Sequence, residues 1–547
     1  MTKKLCAIAV VVGALTWATP AMAGVGSGGA GAAQIGAQIA DTQQGAVATA
    51  TSTQNAVNAN VPVSIAGGNV TAGPSSATQN ADSDARANAS NDAETNQTQT
   101  QTQNVDNGSS CSVGCGGAGA AQIGAQVAKT DQSTDATAVS DQNAVNANVP
   151  VSIAGGDVSS GPSSADQTAN SDAKAKAKND ADTNQTQTQT QNVGNGSSCV
   201  AGCGGAGAAQ IGAQVAKTDQ GADATATSDQ NAVNANVPVS IAGGNVTAGP
   251  SSANQTANSD ANAKAKNDAD TSQTQNQNQN VGGSSSCKVG CGGAGAFQAG
   301  VQLADTHQWA DATAVSDQNA VNANVPVAIA GGDIYAGPSS ADQNVSSKAK
   351  ANASNDADTT QNQTQNQTVG GGSSCLAGCG GAGAAQIGLQ LASTHQWADA
   401  TAVSDQNAVN SNAPVSVAGG DIYAGPSSAT QNADSNAKAK AKNDADTNQS
   451  QTQTQDVGGR SSCKLGCGGP GAFQLGIQKA DTNQWADATA VSLQNAVNGN
   501  APHSVAGGDI YAGPSSATQY ADSNADAKAK NDADTYQAAC QDQKLGW

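Results

Sequence analysis

The segment around Pro62 returns around Pro150, Pro238, Pro326, Pro414 and Pro502, each step being 88 residues. A second marker, Gly-Pro-Ser-Ser at Pro74, recurs at Pro162, Pro250, Pro338, Pro426 and Pro514 with the same step. Six copies thus follow one another without insertion or deletion, although the side chains of the first and last differ at many positions. Independent domains on flexible linkers tolerate length drift, because lengthening a loop costs little. A period held while side chains drift predicts that equivalent positions stack on one another, as in a solenoid. Recent duplication is the competing account of a fixed period.

The repeats divide the chain into 24–110, 111–198, 199–286, 287–374, 375–462 and 463–547, the last including a C-terminal tail. Residues 1–23 read as a secretory signal. Lys3 and Lys4 supply the positive start, Leu5 to Ala18 a short apolar run, and Ala21-Met22-Ala23 a small-residue cleavage site. No later run of 18 apolar residues suggests a membrane span. The expected location is therefore extracellular or at a cell surface, in an organism that is expected to be bacterial.

Composition limits what each repeat can build. Only 2% of the 547 residues are aromatic and 12% charged, and most of the 37% hydrophobic class is Ala. Burying Ala removes little apolar surface, so conventional cores cannot offset the ordering entropy of so long a chain. That argues against an enzyme. It leaves an all-β, elongated repeat, a β-solenoid or stacked strand–turn–strand units, with a largely disordered low-complexity chain as the alternative. The net charge of −20 repels phosphate, which argues against nucleic-acid partners.

Two stretches of each copy alternate with a period of two. In the first copy, Ala77, Gln79, Ala81, Ser83, Ala85, Ala87 and Ala89, then Gln97 to Gln103, share one face, while Asp82, Asp84, Arg86 and Thr98 to Thr102 share the other. This is strand periodicity, with the small face inward and the charged face outward. Residues 34–65 carry a second stripe, apolar at Ile35, Ile39, Val47, Val57, Val61, Val63 and Ile65, mostly odd positions. Gly67-Gly68-Asn69 and Ala72-Gly73-Pro74-Ser75 read as a reversal between the two, and Pro62 belongs at a bend or an edge.

Chemistry-bearing residues are few. Five C-x-x-x-C pairs recur every 88 residues: Cys111/Cys115, Cys199/Cys203, Cys287/Cys291, Cys375/Cys379 and Cys463/Cys467. In an exported chain they are expected to be disulfide staples of the Gly-rich junctions, with pairing between adjacent junctions as the alternative. Zinc would need four ligands, and no His accompanies a pair. Cys540 is left over, as a free thiol or a link between chains. The G-x-G-x-x-G matches at these junctions, such as Gly114, Gly116 and Gly119, read as turns rather than dinucleotide loops. His307, His395 and His503 form no catalytic constellation, and Asp180 and Asp182 read as solvated strand positions. No catalytic residue, metal site or cofactor is expected.

Aromatics are the best lead. Trp309, Trp397 and Trp485 lie 88 apart, with Tyr335, Tyr423 and Tyr511 at the same offset of 26, and the first three copies lack both. They serve either as packing over a thin core or as a ladder that stacks on sugar rings or on another chain.

The signal, the Gln/Asn-rich repeats and the strand–turn–strand pattern resemble curlin-type functional amyloid subunits. The Asn60–Val70 segment is similar to chaplins, surface-coat proteins of filamentous actinobacteria. The first resemblance implies an extracellular fibre. The 88-residue period and the cysteines depart from curlins, and the internal chaplin cysteines are missing, so no site residue is carried over. The expected function is a non-enzymatic exported structural protein that assembles with itself into a surface or matrix fibre. The alternatives are a surface adhesin that binds cell-wall or extracellular glycan through the Trp/Tyr ladder, and an ice-binding protein using Thr49/Thr51/Thr53 and Thr98/Thr100/Thr102.

Overall fold

A computed structural model describes residues 30–113, 117–286, 289–467 and 469–546. Among them the chain is all-β. The first coil runs through strands β1 (Ala30–Asn60), β2 (Val63–Ala66), β3 (Val70–Ala72) and β4 (Ser75–Val113). The pattern repeats to the end of the chain, giving four parallel sheets, each built from equivalent strands of the six coils. This is a β-solenoid repeat architecture, as the fixed period predicts.

Every strand is in register with its equivalent 88 residues on: Ala30 pairs with Ala118, Gln97 with Gln185, Trp397 with Trp485. One coil is therefore one period. A strand of the length of β1 spans about 100 Å, and the five inter-strand spacings between six coils give a stack about 24 Å from first strand to last. The β1 and β4 sheets lie face to face and form a thin slab, closed at one end by the short β2 and β3 sheets.

Pro62 falls at the bend between β1 and β2, where the Val151 amide of the next coil donates to its carbonyl at 2.8 Å. Gly67, Gly68 and the Gly73-Pro74 step make the remaining corners. At the last of these, a Cβ on Gly161 would lie 2.7 Å from the Gly73 carbonyl carbon, so stacked coils require glycine there.

The β4 alternation is oriented as its pattern predicts. Ala77, Ala81, Ser83, Ala85 and Ala87 are buried, and the Asp82/Asp84/Arg86 set is exposed. In β1 the outcome reverses the usual hydrophobic logic. Its even positions face inward, and their partners in the next coil, Gln122, Gln126, Ala128 and Ala136 among them, are fully buried. The aliphatic stripe faces outward: Val145 and Val233 in inner coils are 39% exposed, and Val57 on the open first coil is 77% exposed.

The physical reason lies in what packs between two close sheets. Ala85, Ala87 and Ala89 meet the Ala136/Ala138 column at the centre of the slab, and only methyl-sized side chains fit there. Toward the ends, amide columns replace Ala. Gln187 Nε2 donates to Gln99 Oε1 at 3.0 Å, Gln275 to Gln187 at 2.9 Å and Gln363 to Gln275 at 2.9 Å. Others cross the slab, as Gln189 Nε2 does to the Ile211 carbonyl at 3.0 Å. A buried amide is costly unless satisfied, and in-register stacking satisfies it once per coil. Gly212 makes room for this column, since a Cβ there would collide with the Gln275 amide. A serine zigzag adds a third inner column. Ser140, Ser171, Ser228 and Ser259 pass hydroxyl hydrogen bonds of 2.9–3.0 Å from sheet to sheet and coil to coil.

Larger aliphatics are buried under the short sheets, where Val158, Val246, Ile334 and Ile422 stack, and near the far end of the slab, where Val193, Val281, Val369 and Val457 form a column against Ala206 and Ala294. At the corner before β3 the Asx side chains accept: the backbone N–H groups of Asp157, Asn245 and Asp333 each donate to the Oδ1 of the Asx residue in the preceding coil at 2.8 Å. No helix among the described residues is long and apolar enough to cross a membrane, which leaves strand-based crossing unaddressed.

Candidate functional site

Because inner positions are filled by Ala, Ser and amides, functional side chains must project outward, and the two outer faces differ. On the β4 face the columns are charged. Lys178–Asp180, Lys266–Asp268 and Lys442–Asp444 pair at 2.7 Å, two residues apart on one strand. Asp180 thus stands on a solvated, ion-paired face, as its alternation predicts. The next column along, Glu94, Asp182, Asp270, Asp358, Asp446 and Asp534, stacks carboxylates directly on one another. Partial burial, then the charges of Asp358 and Asp182 above and below it, push the Asp270 carboxyl up to about 6. No group of His, Cys, Asp and Glu among the described residues is arranged to hold a metal ion.

The β1 face is apolar and aromatic. Trp309, Trp397 and Trp485 project from the middle of their strands and are 60%, 51% and 59% exposed. Trp397 and Trp485 stack with centroids 5.7 Å apart. Beside them, the rings of His307 and His395 stack at 4.8 Å. His307 Nε2 also lies 3.1 Å from Asp305 Oδ1. In the first three coils the Trp position is Gly45, Ser133 and Gly221, so the column begins as a trough and ends as a ridge. The resulting shallow groove, about 1130 Å³, crosses all six coils. A carboxylate column, Asp135 to Asp487, stands two residues along from the Trp position; burial first, then Asp223 and Asp399, push Asp311 up to about 6.

The tyrosines form a separate ladder. Tyr335, Tyr423 and Tyr511 stack at 5.0 and 4.9 Å on the short β3 sheet. Fifteen strand residues separate the Trp position from the end of its strand, about 50 Å, so the two aromatic columns do not meet. His503 opens the short β2-type strand of the last coil, remote from the other histidines. Thr49, Thr51 and Thr53 point outward on one face and Thr98, Thr100 and Thr102 on the other. The Thr98 column continues as Thr186 and Thr274, then becomes Asn362, Ser450 and Ala538.

Cys540 is exposed and free. Cys115, Cys287, Gly114 and Gly116 lie outside the described residues, as do the side chains of Cys111, Cys199, Cys203, Cys291, Cys375, Cys379, Cys463 and Cys467. Their backbone ladder does set like on like, Cys111 against Cys199 and Cys375 against Cys463.

What the residue-by-residue reading misses is the pair of open ends. The first and last coils leave their sheets unpaired on one side among the described residues. Aligning the copies by their 88-residue columns reveals that these two edges carry nearly the same inner residues. No family model, curated protein or solved structure matches this chain.

Proposed function

We propose that this chain is an exported, non-enzymatic structural protein that adds end to end to its own copies and builds a surface or matrix fibre. The observation that carries the reading is the likeness of the two terminal coils. Gln474, Gly476, Gln478, Ala488, Ser492 and Asn500 of the last coil stand where Gln34, Gly36, Gln38, Ala48, Ser52 and Asn60 stand in the first. On the return strand, Gln519, Ser523, Asn531 and Gln537 match Gln79, Ser83, Asn91 and Gln97, and the departures are Ala539 for Gln99 and Leu545 for Val105. A seventh coil supplied by another molecule would therefore continue the inner columns.

Polarity supports one direction of addition. Gln donors point toward the lower-numbered coil and Asn58, Asn146 and Asn234 toward the higher, so head-to-tail joining extends both. Outside, Asp526 of one molecule would meet Arg86 of the next. Solenoids that remain single have polar caps, and an open parallel edge is a template for pairing.

Electron microscopy of the mature chain over a concentration series tests this. Filaments that lengthen with concentration are expected. Ala488→Asp with Ala527→Asp, which sets charges into the joint, is expected to leave short particles with the strand signal of circular dichroism intact. Single particles at every concentration, or filaments unaffected by the double variant, would refute the reading. The exposed Trp column favours a second reading as a glycan-binding adhesin. In that case Trp309→Ala, Trp397→Ala and Trp485→Ala together abolish retention on polysaccharide while filaments persist.

A further inference from the structure

The outer β1 face changes character halfway up the stack, and the change is ordered. At the Trp position the coils read Gly45, Ser133, Gly221, then Trp309, Trp397, Trp485. Eight residues earlier they read Ala37, Ala125, Ala213, then Val301, Leu389, Ile477. At the Ala33 position, Ala fills the first three coils, and Phe297 and Phe473 appear in the fourth and sixth. Two outward columns thus run from small in the lower half to large in the upper half, and a third does so except at Ala385 of the fifth coil. All belong to one face, and Phe473, Ile477 and Trp485 are roughly half exposed on it.

We infer that this face binds the same face of a second copy, about a two-fold axis lying in the interface along the strands. That operation leaves each column facing itself but reverses coil order, so the first coil lies over the partner's sixth and the third over its fourth. Each Trp then meets a residue without bulk: Trp309 over Gly221, Trp397 over Ser133, Trp485 over Gly45. Phe473 meets Ala33 and Phe297 meets Ala209, while Ile477, Leu389 and Val301 meet alanines. An isologous contact of this kind requires one surface to complement itself, and ridges opposite troughs meet that requirement.

Charge follows the same operation. The column at Gln43 reads Asp131 and Asp219 in the lower half and His307 and His395 in the upper half. Pairing sets His307 over Asp219 and His395 over Asp131. One position earlier on the face, Lys217 meets Asp305, whereas Asp41 meets Asp481 at the two ends. Opposing this, the Asp135–Asp487 and Asp141–Asp405 columns face themselves, so pairing should tighten as added salt screens them. The β4 face has no such step in size, which restricts the contact to one side of the slab.

End-to-end addition and face pairing give different readouts. Adding molecules along the axis leaves mass per unit length unchanged, whereas face pairing doubles it. Scanning transmission microscopy of the mature wild-type chain is expected to give the doubled value. The triple variant Trp309→Ser, Trp397→Ser, Trp485→Ser removes the ridge, and Gly45→Trp, Ser133→Trp, Gly221→Trp fills the trough. Each alone is expected to fall to the single-slab value, with pairing weakened by about tenfold or more, since buried Trp dominates such contacts. Mixed together, a ridge-less chain and a trough-less chain complement each other, and the doubled value returns. A single-slab value for wild type in high salt overturns the inference. So does a doubled value that survives in both variants, or a mixture that stays single while both variants keep their strand spectra.

Discussion

Gln122 and Ile123 are neighbours on one strand, and the slab treats them in opposite ways. Gln122 is fully buried in an amide column, while Ile123 beside it lies half-buried on the outer face. Inside, a residue is acceptable if it forms a hydrogen-bonded column with its own copies or is small enough for the sheets to close. Outside, bulk is tolerated and varies from coil to coil. Order here depends on like stacking on like, with apolar burial supplied by small columns: the Ala centre, the Val column near the junctions and the aliphatics of the short sheets. Substitutions that respect or violate the inner columns should therefore differ sharply from substitutions outside.

The largest effect is expected at the Ala centre. Ala224 is fully buried between alanine columns, and Ala224→Phe forces the sheets apart, at a cost of about 3 kcal/mol or more in urea unfolding. Next comes Gln187→Leu, which leaves the Gln99 carbonyl oxygen and the Gln275 amide without their column partner. A loss of about 2–3 kcal/mol is expected by the same measurement. Gly212→Ala should cost about 1–2 kcal/mol, because the Gln275 amide must leave its place to admit the methyl group.

Charge on the outer faces gives a smaller term with a definite sign. Asp270 and Asp311 have folded-state pKa values of about 6, above the ordinary carboxylate value of 3.8. Between those two limits the folded chain holds more protons than the unfolded one. Their contribution to stability therefore rises as pH falls from above 6 toward 4 and declines as pH rises through 6. The melting temperature is expected to be higher at pH 5 than at pH 8. Asp270→Asn should recover roughly a few tenths of a kcal/mol at pH 8 and nothing at pH 4. Smallest of all, Ile211→Ser on the outer apolar face should leave stability within about 0.5 kcal/mol, despite removing an aliphatic side chain.

Much of this architecture is readable from residue spacing. The period gives the coil, the alternation at Ala77–Gln103 gives the inward face of β4, and the Gly and Pro positions give the corners. The β1 orientation is harder, since Ile35, Ile39 and Val57 look like core by hydropathy alone. Parity is shared by both faces, and only the sheet opposite decides which one is enclosed. The Ala centre of β4 demands Ala opposite, and β1 supplies Ala at even positions. The aromatic columns are also readable as ladders, but not their separation, which depends on where along the coil each position falls. The likeness of the terminal edges and the ridge-and-trough face emerge only when the copies are compared column by column.

The in-register stack of 88-residue coils is the claim on which all else rests, and a distance measurement tests it most directly. Thr98 and Ser450 occupy the same outward column four coils apart. Nitroxides attached there through an unnatural keto amino acid, leaving the native cysteines untouched, can be measured by double electron–electron resonance. Four strand spacings predict a narrow distribution centred near ~19 Å. A broad distribution on the order of 100 Å, as for an unstacked chain of that separation, would contradict the account.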